Sequence, residues 1–535
     1  MTKRFYVTTP IYYVNGAPHI GHAYTSIAAD VLARFKRMDG YDVFFLTGTD
    51  EHGQKVEAAA RAAGLDTQAY TDKISQDFRD MTDAMGVSYD DWIRTTEQRH
   101  KDSCTALWKK IEAAGDIYLG HYEGWYSVRD EAFYDEGELV TLPDGTKIAE
   151  KSKAPVEWVK EPSYFFRLSA WQDRLLEFYT QHPEFIAPTS RKNEILSFVK
   201  GGLNDLSVSR TTFNWGIPVP DAPGHVMYVW LDALTNYITA AGFPDTKAQR
   251  WDFWPADVHF VGKDIIRFHA VYWPAFLMSA GIAPPTRISS HGWWVVDGEK
   301  MSKSLGNVVE PRALAKTFGL DQIRYFLLRE KPFGSDGSLN HQAIISRMNV
   351  ELANDLGNLA QRSLSLIAKN LDGRLPARGD ATPEDTALLD TANALPDIVR
   401  MHMDRQTFHE ALEEIWKVIR SANGYIDRQA PWALRKTDPA RMAVVLRVLV
   451  DAIRVVATLL QPFMPGSIGR MMDQLGIAPE ARSLADLAVP LADGLGLPAP
   501  QGVFPRYVEP VEEGMSAKDK VDAKVTKNRP ASRDA

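Results

Sequence analysis

Cysteine is nearly absent from this chain of 535 residues: Cys104 stands alone. One cysteine excludes an internal disulfide framework and any metal knuckle built from several cysteines. Cys104 shares a helical pattern with Leu107, Trp108 and Ile111, as a core residue would. A long uninterrupted apolar run is missing too. The longest candidate, Met442 to Leu460, is broken by Arg447, Asp451 and Arg454, which argues against a membrane span. Only Lys3 and Arg4 precede the first strand pattern, leaving no room for a signal or transit peptide, so a cytoplasmic protein is expected. Nor is there an excess of basic charge. The net charge of −8 neither supports nor excludes a nucleic-acid partner, which local basic patches could bind. What is present in quantity is apolar surface to bury. With 45% hydrophobic residues, a chain of this length implies several domains.

Two short segments carry the chemistry. Tyr6 to Thr9 reads as a strand ending at Pro10, and Asn15-Gly16 and Pro18 mark a loop. Ile27, Val31, Leu32, Phe35 and Met38 then recur at helical spacing, with Gly40 suited to the C-cap. His19-Ile20-Gly21-His22 therefore opens a helix that follows a strand. Free N–H groups and a partial positive charge at such a terminus suit phosphate, and Gly21 lets a nucleotide approach the backbone. Taken alone, the segment equally describes a capping turn with surface histidines. Far downstream, Trp293 to Val296 reads as a strand and Asp297-Gly298 as a tight turn, followed by Lys300-Met301-Ser302-Lys303-Ser304 and Gly306. Alone, this is a solvated basic loop. Together the two segments can grip the phosphates of ATP from opposite sides.

His-Ile-Gly-His followed by Lys-Met-Ser-Lys-Ser resembles the class I aminoacyl-tRNA synthetases and, within them, the methionyl-tRNA synthetase family. The resemblance extends from about residue 4 to about residue 470. It is carried also by Pro10 to Gly16, Gly48-Thr49-Asp50-Glu51-His52-Gly53, Tyr228 to Ala233, and Gly262 to His269. It implies ATP-dependent attachment of L-methionine to tRNA(Met), initiator tRNA included, through methionyl-adenylate, with Mg²⁺ held mainly by ATP oxygens. The methionine carboxylate is already a nucleophile, so the protein need only position reactants and neutralise phosphate charge.

The same resemblance assigns roles. His19, His22, Lys300 and Lys303 would act on the phosphates, with Gly21 and Gly262 beside the nucleotide and Asp264 on the ribose hydroxyls. Asp50 would meet the methionine ammonium. Ile11, Tyr13, Trp230, Tyr237, Phe268, His269 and Trp273 would line the side-chain pocket. Sulfur–aromatic contact contributes only about 0.3–1.5 kcal/mol, so shape and a polar contact to sulfur from Tyr13 or His269 would set selectivity. Read without the family, Asp264 is also an ordinary helix cap, and the aromatics are also core. Leu234 stands where the family often has proline. Asn358, Arg362 and Trp432 match anticodon-reading positions, with Arg428 and Arg435 as phosphate contacts; blind, Asn358 and Arg362 are also a solvated face.

The expected architecture is α/β: a doubly wound parallel sheet of Rossmann type, an inserted connective domain, then an all-α anticodon-binding bundle. Boundaries are expected at 1–115 and 216–300 for the two halves of the catalytic domain and 116–215 for the insert, where Leu142-Pro143-Asp144-Gly145 marks a hairpin. The lysine loop and its linker take 301–343, the bundle 344–508, and a disordered tail 509–535. Ile265 to Ala280 is expected to form one helix despite Pro274. Thr382-Pro383 and Asp438-Pro439 are helix starts with proline at N1. The family's insert often carries a Cys-x-x-Cys zinc knuckle; this insert has no cysteine, so no zinc is expected. Without a further C-terminal globular domain, a monomer is expected. The alternative is another class I synthetase, although the leucyl, isoleucyl and valyl enzymes need a larger insert and the cysteinyl enzyme a zinc site. A non-catalytic tRNA-binding paralogue would tend to lose the histidines or lysines. A small nucleotidyltransferase would leave the bundle unexplained.

Overall fold

The structure, a computed structural model, describes residues 3–130, 132–296, 299–300 and 309–509. Its centre is a seven-stranded sheet. Along its main path Ile186–Ala187, Ile288–His291, Val258–Gly262, Arg4–Thr8 and Asp42–Asp50 lie side by side, and Tyr12–Tyr13 and Asp91–Arg94 also pair with Asp42–Asp50. Every pairing in it is parallel. Strands covered on both faces read as unbroken apolar runs, and Phe44, Phe45 and Leu46 are all buried. Gly48 is required by closeness: a Cβ there would lie 1.9 Å from the Ile93 carbonyl oxygen.

The chain leaves Arg4–Thr8 first toward Asp42–Asp50 and later toward Val258–Gly262. The strand order therefore reverses beside Arg4–Thr8, and ligands of such sheets bind outside the carboxyl ends at that reversal. His19, Asp50, Gly262 and His291 all follow or close those ends.

Helix Ile20–Met38 packs on the sheet through Ala23, Ile27, Val31, Leu32 and Phe35, and Gly40 beyond its end takes φ +83°. Between the halves of the sheet, Ile117–Ser127 and Glu157–Phe166 form a long antiparallel ribbon. The hairpin Leu139–Thr141/Lys147–Ala149 turns at the expected residues, with Gly145 at φ +86°.

The C-terminal half is helical. Pro383–Asp404, Phe408–Gln429 and Pro439–Leu460 pack on one another, with Thr382 and Asp438 as caps. One apolar core runs from the sheet into these helices. Arg324, wholly buried, donates to Asp30 at 2.5 Å and to the carbonyls of Met85, Pro462 and Phe463.

Ile265 to Ala280 is expected as one helix, and the chain is helical without a break from the 3₁₀ turn Lys263–Ile265 to the end of the α-helix Trp273–Ser279. What the sequence does not signal is a π-helical turn within it, at Phe268–Tyr272. Pro274, which has no N–H to donate, follows directly on that turn. The strand expected from Trp293 runs from Trp294 to Val296, and the Trp293 N–H donates to Asp336 Oδ1 at 2.8 Å. The turn at Asp297-Gly298 and the tail beyond residue 509 lie outside the described residues.

Candidate active site

His19 is the N-cap of its helix. Its Nδ1 accepts the Gly21 N–H, and the Nδ1 of His22 accepts the His19 N–H, both at 3.1 Å. Two orphan donors of the helix terminus are thus satisfied by imidazoles. With each Nδ1 accepting, the proton of each neutral ring sits on Nε2. The rings lie 3.9 Å apart, and His22 is wedged edge-on against Tyr12 and Phe78.

This terminus faces a cleft of about 60 Å³ lined by His19, Gly21, Tyr24, His291, Gly292 and Trp293, with Trp294 beneath. Asp264 is exposed at its edge, where Oδ1 accepts the Trp293 indole N–H at 3.3 Å. A Cβ on Gly262 would come 2.5 Å from that same oxygen. His291 donates from Nδ1 to the Gly292 carbonyl and meets the Thr25 hydroxyl at Nε2. Burial lowers its pKa to about 4, so it is neutral.

The described residues that flank the lysine segment are paired on both sides. Val295 pairs with Lys300 and Val296 with Glu299, and the Ile20 N–H donates to the Val309 carbonyl at 3.1 Å. Of the two flanks, Val309 therefore sits next to His19. Lys303 lies outside the described residues.

A second group of residues forms an aromatic cluster. Trp230 stacks on Phe268 with ring centroids 3.7 Å apart, and Tyr237 lies near His269 and Trp273. His269 is fully engaged: Nδ1–H donates to the Ile265 carbonyl at 3.0 Å, and Nε2 accepts the Tyr237 hydroxyl at 2.7 Å. Burial holds its pKa down to about 4, which makes Nε2 an acceptor. Ile11 packs on the same apolar cluster. Leu234 is buried in it. Tyr13 pairs in register with Asp50, which is buried, and Lys55 lies over the Tyr13 ring.

Behind Asp50 lies a network that sequence reading missed. Asp232 accepts from His52 Nδ1 at 2.6 Å and from His100 Nε2 at 2.7 Å, all three wholly or nearly buried. Burial would raise its pKa, but the two imidazoles overcome that and hold it at about 2. Cys104 Sγ lies 3.3 Å from His100 Nε2, and burial with the charges of Asp232 and Asp50 pushes its thiol pKa up. His100, Cys104 and Asp232 thus bring three metal-capable atoms within 4.8 Å of one another, and each is hydrogen-bonded within the network. The segments Asp50 to Gly53 and Tyr228 to Ala233 stood out in the sequence; nothing in either alone says they meet. The lining residues His291 to Trp294 were missed as well, although they lead directly into the lysine segment.

In the helical half, Asn358 and Arg362 share helix Asn358–Asn370, and Asn358 is exposed. The Arg362 guanidinium lies 5.1 Å from the Trp432 ring centre and pairs with Asp427 at 2.7 Å. Trp432, 43% exposed, is in the first turn of helix Pro431–Thr437, after a left-handed Ala430. Arg428 and Arg435 are also exposed.

A model of class I tRNA synthetases of the M type matches residues 5–364, and one of the anticodon-binding domain of methionyl tRNA ligase matches residues 375–518. The chain is 58% identical to a methionine–tRNA ligase of Mesorhizobium japonicum, over 95% of this chain and 98% of that one. It is 57% identical to the ligase of Mycobacterium bovis, over 95% and 99%. The solved structure of Mycobacterium tuberculosis methionyl-tRNA synthetase in complex with methionyl-adenylate superposes with a TM-score of 0.93 at 56% identity, covering 94% of this chain and 100% of that one.

Proposed function

The chain belongs to the methionyl-tRNA synthetase family of class I and ligates methionine to tRNA through an adenylate; on that premise we propose which of its residues carry each step. ATP lies in the cleft with its phosphates at the start of helix Ile20–Met38, where His19 and His22 donate from Nε2 as charge develops. Lys300 and Lys303 meet the β and γ phosphates from the other side. The observation that supports this reading is the bond from Ile20 N–H to the Val309 carbonyl, which brings the chain just beyond the lysine segment to the histidine terminus. Gly262 leaves room for the sugar, and Asp264 accepts from its hydroxyls. Mg²⁺, when bound with the nucleotide, would neutralise the polyphosphate and be held mainly by ATP oxygens. Among the described residues lining the cleft, imidazole, indole, phenol and glycine suit phosphate oxygens better than a bare divalent cation.

Methionine sits with its ammonium on Asp50 and its side chain between Ile11, Trp230, Tyr237, Phe268, His269 and Trp273. Both nitrogens of His269 are bonded within the protein, so the polar contact to sulfur falls to the Tyr13 hydroxyl. Trp432 offers an exposed face for an unstacked anticodon base, and Asn358 and Arg362 supply the polar contacts. We place the enzyme in the cytoplasm as a monomer, acting on elongator and initiator tRNA(Met); among the described residues no helix is long and apolar enough to cross a membrane.

The test is amino-acid-dependent ATP–pyrophosphate exchange with Met, Leu, Ile, Val and Cys. Exchange with methionine alone, lost in folded His22→Ala and Lys303→Ala, is the expected result. A rate loss of about 10²–10³ per preorganised donor is the scale. Exchange with another amino acid would discard the pocket assignment.

A further inference from the structure

Lys331 is buried, only 5% exposed, yet it has no carboxylate within bonding distance among the described residues. Its ammonium donates to the Ser335 carbonyl at 2.6 Å and to the Tyr24 hydroxyl at 3.2 Å. It also lies 4.5 Å from the Tyr24 ring centre and 5.2 Å from that of Trp294. Tyr24 and Trp294 both line the nucleotide cleft.

The loop that Lys331 holds is the outer brace of that cleft. The Ser335 carbonyl presses on Gly292, where a Cβ would lie 2.2 Å from its oxygen. Asp336 takes the Trp293 N–H and the Lys263 ammonium, the latter at 2.6 Å. Gly337 donates to the Trp293 carbonyl, and Gly337–Ser338 pairs with Trp294–Val296. The loop rests on the lysine stem itself, because a Cβ at Gly337 would come 2.3 Å from Lys331 Cδ. One side chain thus braces the loop from below while the loop braces residues 292–294.

We propose that Lys331 is a positioning residue for ATP: its ammonium pins residues 332–338 under the His291–Trp294 floor, so that this one charge sets ATP binding and leaves methionine binding alone. The inference rests on ATP occupying the cleft beside His19. The groups facing Lys331 are Tyr24 from the histidine helix, Lys263 and Asp264 after Val258–Gly262, His291 from its strand and Asp336 from the loop. Burial and the Lys263 charge lower the lysine pKa against the pull of Asp336, to about 7. His291 stays neutral and Asp336 ionised there, both shifted downward. Deprotonation removes the charge from both hydrogen bonds, and charged hydrogen bonds are roughly twice as strong as neutral ones.

The experiment is methionine-dependent pyrophosphate exchange by the full chain between pH 6.5 and 8.5, for wild type, Lys331→Met and Lys331→Arg. KM for ATP and KM for methionine are measured separately. At pH 6.5, Lys331→Met should raise KM for ATP about tenfold, the scale of one charged hydrogen bond, with KM for methionine unchanged. Wild-type KM for ATP should climb toward the Met variant's value as pH rises, and the Arg variant, always charged, should not climb with it. The titration of ATP itself is common to all three proteins. Equal ATP KM in wild type and Lys331→Met at pH 6.5, or a loss shared with methionine, overturns the proposal. If Lys331→Met does not fold, parallel wild-type and Lys331→Arg profiles overturn it. Wild type without methionine-dependent exchange would instead overturn the placement of ATP and methionine.

Discussion

Replacing Asp232 by asparagine tests whether the buried network behind Asp50 serves the methionine pocket. The carboxylate accepts from His52 and His100 with one oxygen each. Asparagine keeps the shape but offers one oxygen and one amide N–H₂, so one imidazole N–H then faces a donor. Hydrogen bonds to a charged group contribute about 1.5–3 kcal/mol each, so losing one costs on the order of 2 kcal/mol. The depressed pKa gives a second route to the same figure. The interval from 3.8 to about 2, at roughly 1.4 kcal/mol per pH unit, is also about 2 kcal/mol. The sign is that of a lowered acid: this stabilisation is complete above 3.8 and is lost as pH falls through 2, so it is fully present at neutral pH.

The effect should extend to function. His52 is two residues from Asp50, and Asp232 is two residues from Trp230 on helix Val229–Leu234. The network therefore ties the residue proposed for the ammonium to one proposed for the thioether wall. Asp232→Asn should raise KM for methionine by about tenfold, the scale of a small misplacement in a preorganised site, and leave KM for ATP unchanged. Thermal and urea unfolding report the stability, and pyrophosphate exchange reports both KM values. A stable variant with unaltered unfolding would refute the hydrogen-bond account. A destabilised variant with unaltered methionine KM would reduce the network to scaffolding.

Asp257 is the opposite case. Burial raises its pKa to about 6, against the pull of the Tyr6 N–H and Lys36. The folded chain then binds the extra proton between pH 3.8 and 6, so stability falls as pH rises through that window. Asp257→Asn, which can still accept the Tyr6 N–H, should gain about 1–3 kcal/mol over wild type at pH 7.5 and little at pH 4, as read from urea midpoints at the two pH values. Gly262→Ala puts a methyl 2.5 Å from Asp264 Oδ1. At φ −67° the backbone itself tolerates alanine, so KM for ATP should rise severalfold with no change in melting temperature. Trp432→Ala should lower aminoacylation kcat/KM for tRNA(Met) by roughly 10-fold to 100-fold, a base stack contributing about 1–3 kcal/mol, while exchange without tRNA is unaffected; a matching loss of exchange would show that the side chain acts through folding.

Local signals in this sequence reached as far as single elements. Pro383 and Pro439 mark helix starts because proline at N1 forfeits an N–H that no helix would use, and both appear there. Val43 to Leu46 reads as a buried strand because no polar residue interrupts it. The same logic reads Ile265 to Ala280 as helical straight through Pro274, as it is, but apolar periodicity conceals the π-helical turn within it. That turn has a consequence for the pocket: the Ile265 carbonyl takes the His269 Nδ1–H, leaving Nε2 for Tyr237. Periodicity cannot register such a change, since it records which face a residue occupies and not which hydrogen bond a carbonyl makes.

The residues left unread share one property: each acts through a partner far away in the chain. Asp232 meets His100 across 132 residues and His52 across 180; Lys331 meets Tyr24 across 307. A buried aspartate inside Trp-Leu-Asp-Ala, or a lysine ahead of Pro332-Phe333-Gly334, looks like an ordinary surface charge until folding removes its water. Burial is then tolerable only if something else satisfies the charge. For Asp232 two imidazoles do so; for Lys331 a carbonyl, a phenol and two aromatic faces do, and they do so incompletely, as its lowered pKa records. Unlike the signature histidines and lysines, which announce themselves by type and spacing, these groups are recognisable only by the cost of burying them. The incompletely compensated one lies beneath the cleft proposed for ATP, and on that reading a change of its charge reaches the nucleotide through a single carbonyl.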